Sequence, residues 1–201
     1  IDPIKKNTNS KLVLYFHNDP LQMRGSISTK ERIKLLENCE NIIVISKWIK
    51  KRFLKDLSKS VYFENKIKVI PHSTNKPKKI NFKKKLNLIT FVGKLNKAKG
   101  YDIFGKSLIK ILNNFPNWNG MVIGDEARER HDFSHPRLQT IGFIQHEKVL
   151  KIFEKTSIAV ACSRWEEPLG RTGFEASSRG CAVIISNRGG LPETITDGII
   201  L

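Results

Sequence analysis

The amino-acid sequence predicts an α/β protein built on parallel sheets. Short β-branched and apolar runs alternate with helical patterns along most of the chain, the signature of strand–helix repetition. The 201 residues are 39% hydrophobic and include three Trp and eleven Phe, enough to fill cores and too many for a mainly disordered chain. The longest uninterrupted apolar stretches, around Ile42–Ile45 and Ile158–Cys162, fall far short of the roughly 20 residues of a membrane-crossing helix.

The elements follow in order. Residues 11–16 read as a strand, and Ser28-x-x-Glu31 then supplies a capping box for a helix at 29–38. A strand at 41–45 leads into a helix at 47–57, where Ile49, Phe53 and Leu57 recur at helical spacing and Lys47, Lys50, Lys51 and Lys55 fall largely elsewhere. That pattern is a basic amphipathic helix, and its simplest reading puts the apolar stripe in a core and the lysines in water. A strand at 67–70 precedes a Pro/Lys/Asn-rich segment at 71–85, which reads as a linker. Beyond it come strands at 88–92, 121–124, 138–141, 158–161 and 182–186, with helices at 101–113, 146–156 and 173–180. The expected organisation is a first domain at 1–73, a Lys-rich linker at 74–86 and a second domain at 87–201. Three strands and two helices make a poor independent domain, and the chain stops within the apolar run Gly198-Ile-Ile-Leu201. The expectation is therefore an internal piece of a longer two-domain protein, with an unusually small complete protein as the alternative.

Charge is uneven. Lys and Arg number 36 against 19 Asp and Glu, a net +17, and residues 1–90 carry +14 of it against +3 for the rest. Such a first half suits peripheral contact with anionic phospholipid. Nucleic acid is not expected as a partner, because no binding motif or interleaved aromatic platform accompanies the charge. Cys39, Cys162 and Cys181 form neither a disulfide framework nor a metal-binding spacing, which fits a reducing cytosol.

Two motifs carry chemistry. The stronger is Glu167-Pro-Leu-Gly-Arg-Thr-Gly-Phe-Glu175, extended by Arg188-Gly-Gly-Leu-Pro-Glu193. A glycine-bearing loop leads from Glu167 straight into a helix, so backbone amides and the positive helix end converge where an anion can sit. Glu175, one or two turns further on, can point back at the same place. As isolated charges, two Glu at this spacing read equally as a solvated helix face. The second motif, Gly93-Lys94-Leu95 with Lys99-Gly100, sits between a strand and a helix. There, two lysines reach the crevice at the carboxyl end of a sheet, where α/β folds bind ligands. A pair of ammonium groups can neutralise a departing diphosphate as a metal ion otherwise would, and the sequence contains no Asp-x-Asp triplet. Loop lysines of this kind are otherwise ordinary solvated charge.

Together these motifs resemble those of the retaining, nucleotide-sugar-dependent glycosyltransferases of family 4, which have the GT-B fold of two facing Rossmann-like domains. The resemblance covers residues 88–201 for the nucleotide-binding half and, with less specific motifs, 11–73 for the acceptor-side domain. It implies a GT-B chain truncated at the N-terminus of its first domain and the C-terminus of its second. It further implies that Lys94 and Lys99 grip the diphosphate, that Glu167 meets the donor sugar, and that Glu175 accepts hydrogen bonds from the ribose hydroxyls. The amides of Leu169, Gly170 and Arg171 would hold sugar and phosphate oxygens. Ile144, in Gly142-Phe143-Ile144, stands in the loop whose backbone touches the base, and Gly93 shapes the first turn. Where Lys94 stands the family usually has Arg, so the charge is kept and the two-pronged grip is lost.

His17, with Arg24 and Gly25 in the same loop, occupies a place where the family often puts a histidine near the donor sugar, although a lone His after a strand is commonly a turn residue. Trp165 either lines the sugar site or covers the core. The resemblance implies a bacterial, metal-independent hexosyltransferase needing no cofactor beyond its nucleotide-diphosphate sugar. Its expected acceptor is a lipid-linked or envelope glycan, and its expected place the cytoplasm, peripheral on the inner face of the membrane. A sugar-nucleotide epimerase of the same fold and a non-catalytic basic binding fragment are the competing readings.

Overall fold

The computed structural model describes residues 10–57, 60–75, 77, 79–129 and 131–201. Residues 1–9 of the expected first domain and positions 76 and 78 of the expected linker lie outside them. The chain divides into two compact units, Ile1–His72 and Ser73–Leu201.

In the first unit, β1 (Val13–Phe16), β2 (Asn41–Val44) and β3 (Ile67–Val69) form a parallel sheet in that order, connected by α1 (Thr29–Asn38), α2 (Lys47–Leu54) and α3 (Ser60–Glu64). The capping box of α1 is formed: the Glu31 amide donates to Ser28 Oγ at 3.2 Å, and the Ser28 amide donates to Glu31 Oε2 at 2.9 Å. Ile49, Phe53 and Leu57 are all buried, so the apolar stripe of the basic helix belongs to the core. The helix itself ends at Leu54, three residues before the expected limit. Asp56 turns the backbone to a φ of +62°, and Arg32 takes the Lys55 carbonyl at 2.7 Å, so the last turn is given up to a long-range bond. The loop after β1 is pinned the same way. Arg52 forks the buried Asp19 at 3.0 and 2.6 Å, and Arg32, only 1% exposed, donates to the carbonyls of Ser26 and Ile27.

The second unit runs β4 (Leu86–Val92), α4 (Tyr101–Asn114), β5 (Asn119–Ile123), β6 (Leu138–Thr140), α5 (His146–Lys155), β7 (Thr156–Ala161), α6 (Arg171–Ser177), β8 (Ala182–Ile185) and β9 (Ile199–Ile200). All six strands are parallel, in the order β6-β5-β4-β7-β8-β9. A parallel sheet of this kind must be covered on both faces. On one, Ile89, Phe91 and Val122 pack against Tyr101, Phe104, Leu108 and Leu112 of α4. On the other, Ile123, Ala159, Val183 and Ile185 meet Val149 and Phe153 of α5 and Ala176 of α6.

Three details differ from the sequence reading. The closing apolar run makes an edge strand, with Ile199 opposite Ile184. Helix α6 starts at Arg171 and stops at Ser177, because Gly180 turns the chain at a φ of +75°. β4 opens at Leu86, inside the segment read as linker, and Lys85 just before it is part of the unit's frame. Its ammonium donates to the carbonyls of Phe153 and Thr156 at 2.8 and 2.7 Å, capping the end of α5, and burial lowers its pKa.

From β4 the chain winds outward through β5 and β6, and from β7 it winds the other way through β8 and β9. The switch point between β4 and β7 therefore leaves a crevice beyond their carboxyl ends, with no crossover helix filling it.

Phe153, near the end of α5, is fully buried in the core on that helix's face of the sheet. Phe153→Ala is expected to cost about 3–5 kcal/mol, read by urea denaturation with an unchanged slope. A loss near zero would contradict the packing described.

Candidate functional site

Two loops leave the sheet at the switch point, one after β4 and one after β7, and they are joined backbone to backbone. The Ala98 carbonyl accepts the amides of Arg164 and Trp165 at 2.9 and 3.0 Å. Gly100, at a φ of +74°, lies so close to Cys162 that an added Cβ would stand 1.9 Å from its carbonyl oxygen. Only glycine fits there. Gly93, at a φ of +158°, takes a turn that side chains rarely adopt, and its carbonyl is closely approached by Gly124 after the neighbouring strand, whose Cβ would sit 1.9 Å away. The next loop over is braced by Asn96 and Glu126, and Arg128 beside Glu126 holds that carboxyl down at about 2.

This joint brings Lys99 to Glu167. Their ion pair measures 2.5 Å, and the Ser163 hydroxyl donates to the same carboxylate oxygen at 2.9 Å. Glu167 is 7% exposed, so both donors offset the cost of burying its charge. A third loop closes behind it: the Gly190 amide donates to the Glu167 carbonyl at 2.6 Å, and Glu166 takes the Gly189 amide at 2.7 Å and Arg188 at 3.1 Å. The segment Arg188–Glu193 thus acts as a buttress for the Glu167 loop. Cys162, at the joint, is no nucleophile, since burial pushes its thiol up to about 11.

Glu175 is equally buried, one turn into α6. Arg171 Nη2 and His146 Nε2 both reach its Oε1, at 2.9 and 3.0 Å, and Oε2 has no protein partner among the described residues. Gly170 caps α6 with no side chain to occupy the first-turn amides. Leu169 is buried beside it.

His146 also lines a cavity of about 420 Å³ with Val92, Lys94, Phe143, Ile144 and Val149. Lys94 forms no ion pair among the described residues, and Asp125 lines the same cavity. Phe143 is highly exposed at its rim. The arrangement offers an apolar wall for a flat ring, a free ammonium and open helix amides for an anion, and two buried carboxylates for hydroxyl groups.

Of the residues singled out in the sequence, Gly93, Lys94, Lys99, Ile144, Glu167, Leu169, Gly170, Arg171 and Glu175 all belong to the second unit and gather at this switch point. His17 belongs to the first, at the end of β1, where its Nδ1 lies 3.1 Å from His72 Nε2 and its ring 4.3 Å from that of Tyr15. The Trp165 side chain is partly exposed and so does not cover the core. His146 was missed. Its only sequence signal is a histidine opening a helix two residues after Ile144.

The sequence pattern of the family described as glycosyl transferases group 1 matches residues 72–200. Spore coat protein SA of Bacillus subtilis (strain 168) is 26% identical over 221 residues, covering 96% of this chain and 58% of that protein. The putative glycosyltransferase YtcC of the same organism is 25% identical, covering 95% of this chain and 53% of that protein. The chain spans about half the length of the curated relatives it matches. The crystal structure of Anabaena HepE in complex with UDP-glucose shares the fold at a TM-score of 0.70 and 17% identity, over 95% of this chain and 58% of that one. With parallel α/β units matching GT-B glycosyltransferases and a family pattern running through the whole switch-point site, the chain belongs to the glycosyl transferases group 1 family.

Proposed function

We propose that the chain is part of a retaining, family 4 glycosyltransferase that moves a hexosyl group from a nucleoside diphosphate sugar to an acceptor hydroxyl. The observation that carries this reading is the joining of the two motif loops at one switch point, beside a cavity with an apolar wall and a free lysine. In this reading the base lies on the wall made by Val92, Phe143 and Ile144, and the ribose hydroxyls donate to Glu175. Arg171 and His146 occupy one oxygen of that carboxylate and leave the other for the diol. Lys94 and the amides at the start of α6 take the diphosphate. Lys99 is already paired with Glu167, so it serves the phosphate while holding Glu167 in place for the sugar hydroxyls.

In the transfer, the bond between the anomeric carbon and the phosphate oxygen breaks while the acceptor oxygen attacks on the same face. The acceptor proton passes to the departing phosphate. The protein's part is to stabilise the charge that develops on that phosphate, and fixed cations and amides do so without reorganising. No metal or further cofactor enters this proposal. UDP is the first nucleotide to test, because HepE was solved with UDP-glucose.

The acceptor in this reading is a lipid-linked or envelope glycan, met at an anionic membrane surface on the cytoplasmic side. The basic first unit supports it. Lys47, Lys50, Lys51 and Lys55 border a cavity of about 1000 Å³ beside α2, where Lys50 pairs with Glu64 at 3.7 Å. Because the apolar side of α2 is used by the core, the contact is electrostatic and involves no insertion. Among the described residues no helix is long and apolar enough to cross a membrane.

Lys94→Met is expected to weaken UDP binding about 10- to 100-fold, the worth of a charge-assisted bond, and His146→Ala about 3- to 10-fold. Isothermal titration reads both, and native affinity in Lys94→Met would exclude this diphosphate site. For the membrane, sedimentation with vesicles should show binding to phosphatidylcholine mixed with phosphatidylglycerol, none to phosphatidylcholine alone, and release by salt. Equal binding to both vesicles would rule out the electrostatic contact.

A further inference from the structure

The second unit has another cavity, of about 140 Å³, which shares no residue with the switch-point site. Lys79, Asn81, Lys84 and Arg179 line it, with Glu154 as its one carboxylate, so three cations face one anion. We propose that this cavity is an oxyanion site, taking inorganic phosphate or the phosphomonoester end of a larger molecule.

Arg179 carries the argument. It is 5% exposed, yet no carboxylate pairs with it among the described residues. Its Nη1 donates to two hydroxyls, Ser178 Oγ at 2.7 Å and Thr74 Oγ1 at 3.5 Å. Its Nε is buried with no acceptor. A buried guanidinium with an orphan N–H is costly, and an anion offsets that cost most directly. A guanidinium suits the oxygens of a phosphate better than an ammonium does. With Nη1 held by two hydroxyls, it loses little freedom on binding.

The surroundings fit a small ligand. Ile80 and Phe82 pack against the turn at Gly180, directly after Arg179, and give the cavity a fixed wall. The 3-10 turn Phe82–Lys84 carries Lys84, whose exposed side chain adds a second charge without needing burial. Glu154, also exposed, limits the net excess to two positive charges, which suits one phosphate. The volume is too small for a nucleotide sugar. The site lies past the C-terminal end of α6, four residues beyond Glu175.

The test is thermal unfolding in sodium phosphate against sodium chloride of equal ionic strength. It is run on the chain saturated with UDP and, separately, on Lys94→Met, so that phosphate at the donor site contributes to neither. Phosphate at about tenfold its Kd should raise Tm by about 3–6 °C in both. Arg179→Gln should abolish the shift and Lys84→Gln should reduce it; the exposed Lys84 leaves the fold intact and decides the matter if Arg179→Gln fails to fold. Glycerol phosphate in place of phosphate separates the two sources: a larger shift assigns a phosphomonoester, an equal or smaller one the free ion. No shift in the native chain, or a full shift in Lys84→Gln, overturns the proposal. If UDP fails to bind, the Lys94→Met arm still reads this site, so its failure and that of the donor site are told apart.

Discussion

The site depends on a backbone joint. One carbonyl, that of Ala98, holds two amides from the loop after β7, and Gly100 lets the two loops close to a distance no side chain allows. Each of these bonds is worth only about 1 kcal/mol net. Their effect is geometric: they set Lys99 and the Ser163 hydroxyl beside the buried carboxylate of Glu167. Remove the joint and the buried glutamate loses both its cation and its hydroxyl. The buttress from Arg188 to Glu193 acts in the same direction from behind.

The two glutamates eight residues apart have different surroundings and so different tasks. Glu167 is on a loop, tied to the strand-end lysine and to a third loop. Glu175 is on a helix, where two donors share one of its oxygens and leave the other to a ligand. In the proposed reading the first meets the donor sugar and the second the ribose.

Much of this was legible in the sequence, for definite reasons. Strands covered on both faces produce unbroken apolar runs, so β2, β4, β7 and β8 stand out, and Ser28 with Glu31 marks the start of α1 through a purely local exchange of hydrogen bonds. The motif lysines and Glu167 fell in loops that follow strands, and in a parallel sheet those loops share one edge. What the sequence hid was long-range. The end of α2 is set by Arg32 reaching across to Lys55, and the role of Lys85 appears only when α5 ends beside it. His146 meets Glu175 across 29 positions, and Gly124 packs on the Gly93 carbonyl from the next strand's end. No local pattern encodes contacts of that kind.

The central claim is that the switch-point cavity and the loops around it take a single nucleoside diphosphate. Calorimetric titration of the native chain with UDP and with uridine tests it most directly, since the two differ only in the diphosphate. The account predicts competition for one site, with UDP tighter by about 10- to 100-fold. Equal affinities, or binding without competition, would contradict it.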